Sequence, residues 1–172
     1  LDDRIGRALT VIGIPSACLL HGYVGFIFGS IKANPWWSTP LMPIVFLFSA
    51  IVSGIACILL LYFVTCWFRR VPVDMACVDT IATYLYYAFL VDFSLEMLDL
   101  IHRLYEADES FKSLDFMVKT QLFTSQIVVQ ILLGTLLPLA ILALTQLVRL
   151  GERARRNAYA AAGVLTLIGI FA

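Results

Sequence analysis

Residues 8–31 read ALTVIGIPSACLLHGYVGFIFGSI, an apolar run with no lysine, arginine or acidic residue between Arg7 and Lys32. At 1.5 Å rise per residue, about 20 helical residues cross the roughly 30 Å hydrocarbon layer of a bilayer, so this stretch is long enough to span one. The next run, 41–68, has the same character, and 75–98 and 122–148 complete a set of four. A lipid-exposed backbone must satisfy its own hydrogen bonds, and helices of this length do so. The pattern predicts an all-α integral membrane helical bundle in a single domain, with four full transmembrane helices at 4–31, 41–68, 73–105 and 118–150 and a truncated fifth at 157–172.

Composition agrees, at 61% hydrophobic and 14% charged residues with a mean hydropathy of +0.92. A formal net charge of zero leaves no basic footprint for nucleic acid. The chain opens at Leu1 without a methionine or signal peptide, and its last apolar run, Ala158 to Ala172, reaches only about 22 Å. Both features are expected of a piece of a larger bundle. Cys18, Cys57, Cys66 and Cys77 form no Cys-x-x-Cys pair. They are expected to be small buried thiols rather than ligands of an iron–sulfur or zinc site.

Pro15 interrupts the first helix and frees the Val11 carbonyl, while Gly25 and Gly29 have the spacing that lets another helix approach. The linker Asn34-Pro-Trp-Trp-Ser-Thr-Pro40 places a tryptophan pair at headgroup level, with Ser38 as a candidate cap and Pro40 in the first turn of the second helix. Gly134 and Pro138 mark a local break in the fourth helix. Alternating crossings put Arg4, Arg7, Arg69, Arg70, Arg149, Arg153, Arg155 and Arg156 on one side and only Lys32, Arg103, Lys112 and Lys119 on the other. The positive-inside rule assigns the first group to the cytoplasm. The tryptophan linker and the acidic 103–119 loop then face outward, toward the periplasm of a bacterium.

Ionisable residues at bilayer depth are costly and usually face a bundle interior or cavity. His21 and Asp92 each lie about 16 Å below the outer end of their helix, and those helices run in the same sense. The two side chains are therefore expected at similar depth, where they meet if the helices face each other. Asp92, Glu96, Asp99 and Arg103 follow one another at helical spacing on a single face. Asp99 with Arg103 is most simply an ion pair, Glu96 a salt bridge or a proton relay, and Asp79 a capping or packing residue.

An imidazole beside a carboxylate in a dry, lipid-accessible pocket suits a quinol. Imidazole can donate to a quinone carbonyl or take the proton of a hydroquinone near neutral pH, and a carboxylate can orient it. Tyr23 or the Gln126/Gln130 face can add hydrogen bonds. The structural alternative for His21 is an imidazole bonded to a backbone carbonyl. Haem is not expected, because His102 lies on the order of 12 Å above His21 and cannot share an axial pair with it.

The stretches His21-Gly-Tyr-Val-Gly-Phe-Ile-Phe-Gly29, Asn34-Pro-Trp-Trp37 and Leu41-Met-Pro-Ile-Val-Phe-Leu-Phe-Ser-Ala50 with Gly54 resemble the NrfD-like family, the membrane subunits of polysulfide reductase and related respiratory complexes. Within that family the likeness points to the branch associated with dissimilatory sulfite reduction. The resemblance implies a haem-free bundle in the bacterial cytoplasmic (inner) membrane. It implies menaquinone or ubiquinone as substrate near the periplasmic face, and electron exchange with a periplasmic, ferredoxin-like iron–sulfur subunit. The quinone-site histidine of the family maps onto His21, and more weakly the charged outer half of the third helix onto Asp92 and Glu96. A proton-coupled transporter or pump component using Asp79, Asp92 and Glu96 is the alternative function. A plain anchor whose acidic loop docks a partner is a third.

Overall fold

A computed structural model describes residues 2–31, 39–106, 123–148 and 150–171. Every regular element among them is a helix: α1 (Asp2–Gly29), α2 (Met42–Arg69), α3 (Met75–Glu106), a π-helical segment (Phe123–Leu136) continuing into α4 (Leu137–Leu147), and α5 (Glu152–Phe171). Among the described residues, four stretches are long and apolar enough to cross a membrane: Arg4–Gly29, Met42–Arg69, Met75–His102 and Gln130–Leu147. The tryptophan pair, Ser38, most of the 103–119 loop and the first residues expected in the fourth helix lie outside the described residues.

Helix ends follow local chemistry. The Asp74 carboxylate accepts from the Ala76 N–H at 3.0 Å and starts α3, while the Asp74 N–H donates to the Tyr62 hydroxyl at 3.2 Å. Helix α2 starts with Pro43 in its first turn, where no N–H is needed. It ends at Arg70, which adopts a left-handed φ of 53°. The Arg70 and Val71 N–H groups then return to the Trp67 and Cys66 carbonyls at 3.3 and 3.1 Å, a Schellman closure. Pro15 lies within α1 without ending it. Farther along, the π-helical ladder gives way to α4 where Pro138 removes a donor in the first turn.

The core is a seam of Val52, Ala56 and Leu59 from α2, Val78, Ala82, Leu85 and Phe89 from α3, Leu142 from α4, and Tyr159 and Ala162 from α5. Helix α1 contributes nothing to it. Only 6% of its apolar window is buried, so most of its surface is left for lipid or other helices. Its outer end is held closely all the same. A Cβ on Gly25 would stand 2.6 Å from the Pro43 Cα, and one on Gly29 would stand 2.9 Å from the Thr39 carbonyl oxygen. The small-residue spacing thus seats α1 on the start of α2. A second backbone approach, Gly169 against Gly134, joins α5 to the π-helical segment.

Of the cysteines, only Cys66 is buried, and Cys18, Cys57 and Cys77 lie on exposed helix faces. The expectation of four buried thiols fails because in a membrane protein an apolar face is often the outside face.

Candidate functional site

The half of the bundle that holds the end of α1 and the start of α2 bounds a cavity of about 660 Å³ between α1, α2, α3, the π-helical segment and the end of α5. Its polar groups come from His21, Thr39, Ser49, Ser53, Glu96, Asp99 and Gln130, and much of the remaining wall is Phe28, Met42, Val45, Phe46, Leu100 and Ile170. The α2 wall is one helical face, since positions 42, 45, 46, 49, 50 and 53 recur at three- and four-residue steps. Phe28 and Phe46 stack with centroids 5.5 Å apart and carry the aromatic lining from α1 to α2. An apolar cavity of this size with a few convergent polar groups is the usual form of a small-molecule site.

His21 is half-buried and lines the cavity. Its Nδ1 lies 2.9 Å from the Ala17 carbonyl oxygen. A carbonyl only accepts, so Nδ1 carries the hydrogen, and in the neutral ring Nε2 keeps the lone pair. The backbone-bonded imidazole anticipated as a structural alternative is therefore present, and it also sets the tautomer. One nitrogen is anchored to α1, and the other has the electronic character of a base.

The third helix presents its acids in a different order from that expected. Glu96 and Asp99 line the cavity with His21, whereas Asp92, one turn inward, does not. Asp92 is 6% exposed, and its Oδ1 has no hydrogen-bond partner. Asp99 Oδ1 accepts a 2.7 Å hydrogen bond from the Thr39 hydroxyl, which in turn accepts from the Leu41 N–H at 3.3 Å. The expected Asp99–Arg103 pair involves a side chain outside the described residues. Tyr23 is 63% exposed and is not part of the cavity wall. Two residues correspond to about 200° around a helix, so Tyr23 and His21 face opposite ways. Gln130 does reach the cavity, and the Gln126 side chain lies outside the described residues.

Thr39, Ser49, Ser53 and Asp99 are wall residues that sequence reasoning does not single out as site residues. The three- and four-residue recurrence along α2 carries a signal for the serines. Thr39 carries none, because its contribution depends on where the linker returns to α3.

A second polar cluster occupies the opposite half of the bundle. Arg155 Nη1 pairs with Asp79 Oδ2 at 3.2 Å, Gln146 Nε2 donates to Thr83 Oγ1 at 3.1 Å, and the Tyr159 hydroxyl neighbours Asp79 and Thr145. Together with Val148 and Leu150 these residues line a cavity of about 470 Å³. Asp79 is thus an ion-pair partner of α5 rather than a helix cap. Asp79 and Asp92 are about 20 Å apart along α3. The side chains between them include Ala82, Leu85 and Phe89, all at 3% exposure or less. Among the described residues, no group of three or more His, Cys, Asp or Glu side chains is placed to hold a metal ion.

Fold and site together define a polytopic helical membrane protein with a His- and carboxylate-lined cavity. Comparison with known sequences is specific about the family: the family model for polysulphide reductase, NrfD, matches residues 1–172, and the chain belongs to that family. Its members are membrane subunits of oxidoreductase complexes. The chain is 46% identical over 56 residues to a selenate reductase subunit of Mesobacillus selenatarsenatis, a match covering 33% of this chain and 13% of that protein. It is 38% identical over 52 residues to protein NrfD of Escherichia coli K12, covering 30% of this chain and 16% of the relative. These matches span less than a fifth of either relative's length. No solved structure matches the chain.

Proposed function

We propose that this chain forms the quinone-reactive part of a respiratory membrane subunit, exchanging electrons with an iron–sulfur subunit on the periplasmic face of a bacterial inner membrane. The observation that carries this reading is His21, anchored through Nδ1 to Ala17 and lining the same cavity as Glu96. A hydroquinone bound there would present a hydroxyl to Nε2, which takes its proton. In the opposite direction the protonated ring donates to a quinone oxygen. Gln130 and Asp99 offer further polar contacts for the head group, and the apolar residues around Phe28 and Phe46 suit an isoprenoid tail. Two-electron chemistry is the quinone's own, and the residues supply orientation, a dry surrounding and a place for the proton.

Replacing His21 by Ala in the complete complex should lower hydroquinone-dependent electron transfer by about 100-fold or more while the subunits still assemble. Turnover at the native rate would refute the reading.

The inner Asp79–Arg155 cluster is the one observation that favours a proton-coupled transporter. The dry side chains separating it from Asp92 weigh against that alternative. Proton flux in proteoliposomes without any redox partner would support the transporter, and flux that requires added hydroquinone would not.

A further inference from the structure

The polar groups of the outer cavity form a graded series. His21 and Glu96 lie on its wall, Asp99 follows Glu96 by about 4.5 Å toward the outer end of α3, and Thr39 bonds Asp99 from the returning linker. Thr39 is 4% exposed, and its hydroxyl, occupied by the Leu41 N–H on one side, directs its own hydrogen at Asp99 Oδ1. Inward of Asp92 the same helix buries Phe89, Leu85, Ala82 and Val78 in the core beside Leu142 and Ala162, with Ile81, Tyr86 and Ala88 packed against it. Glu96 and Asp99 therefore lead outward from His21 along the cavity wall, and on the other side of the buried Asp92 the packed core separates the cavity from the Asp79 cluster.

We propose that protons exchanged at this cavity travel to and from the outer face alone, through Glu96 and then Asp99, with Thr39 as the residue that positions Asp99. The proposal rests on the quinone reading and adds to it the route and its sidedness. Oxidation of a hydroquinone breaks both phenolic O–H bonds. The electrons pass to the iron–sulfur protein as oxidant, and each proton passes to His21 Nε2, on to Glu96 and Asp99, and into outer water. Quinone reduction runs the same route in reverse, with the iron–sulfur protein as reductant.

The test uses the whole complex in proteoliposomes, a short-tailed naphthohydroquinone and pH-sensitive dyes on either side. Scalar protons are expected only on the side away from Arg70. D99N should lower kcat by about tenfold or more, leave KM for the hydroquinone within about twofold, and enlarge the solvent deuterium isotope effect. D99E should restore much of the rate, and T39V, which keeps the carboxylate but removes the hydroxyl that donates to its Oδ1, should slow kcat by about threefold. Protons appearing on the Arg70 side, native kcat in D99N, or a raised KM with kcat unchanged would each overturn the route. If D99N fails to assemble, native kcat in T39V overturns it instead. H21A run in parallel separates the two levels. Native turnover there removes the quinone reading itself, while an inactive H21A beside a native D99N removes only the outward route.

Discussion

Gly25→Ala tests whether the seat of α1 on α2 sets the chemistry of the cavity. The new Cβ would stand 2.6 Å from the Pro43 Cα, 2.9 Å from the Met42 carbonyl oxygen and 3.0 Å from the Pro43 nitrogen, all backbone atoms unable to swing aside. Ordinary carbon contacts begin at about 3.5 Å, so α1 must retreat by about 0.9 Å. The overpacking costs about 1–3 kcal/mol, against which alanine returns about 1 kcal/mol of helix propensity. Net stability thus changes by no more than about 2 kcal/mol, and a melting curve is a poor discriminator. Position is a better one. His21 lies one turn inward on the same helix, and a displacement near 1 Å at a reacting group can cost about 100-fold in rate. Steady-state hydroquinone oxidation by the assembled complex should fall by between about tenfold and 100-fold. Gly13→Ala and Gly22→Ala, whose added Cβ atoms would meet nothing within 4 Å, should leave it near the native value. A Gly25→Ala complex as fast as these controls would show that the α1 seat does not govern the site.

Other expectations follow from the helix ends and the inner cluster. Asp74→Ala removes the carboxylate cap of α3 and should lower stability by about 1 kcal/mol in a detergent melt, whereas Asp74→Asn retains most of it. Arg70→Gly relieves a left-handed residue and should stabilise by about 0.5–1 kcal/mol in the same assay. Arg155→Met leaves the half-buried Asp79 carboxylate without its cation and should destabilise by about 1–3 kcal/mol. Adding Asp79→Asn should recover part of that loss, and an additive double mutant would refute the coupling.

The helices are legible because bilayer thickness imposes a length that 8–31 and 41–68 meet with no charged residue inside either run. Family membership is legible for a related reason, since the His21–Gly29 and Leu41–Ala50 stretches carry the residues that seat α1 on α2. The site is harder to place. Helical spacing puts Asp92, Glu96 and Asp99 on one face, but which of them opens to the cavity depends on how far along α3 that cavity extends. The close approach at Gly25 and Pro43, together with the return of Thr39, brings the opening to Glu96 and Asp99. Tyr23 is near His21 in sequence, and the helical repeat turns it away. The Asp79–Arg155 pair joins residues from α3 and α5 that no local spacing connects. Finally, the π-helical ladder places Gln130 on the cavity by shifting hydrogen bonds by one residue, a change that leaves the hydropathy pattern unaltered.

The apolar seam of Leu85, Phe89 and Leu142 has an electrical consequence. A transmembrane potential falls mainly across the driest layer, and moving one elementary charge through it involves about 2.3 kcal/mol per 100 mV. Charge that comes and goes entirely outside that layer does little work against the field. Under the proposed function, turnover would be nearly indifferent to voltage, and full energisation of the membrane would not slow it.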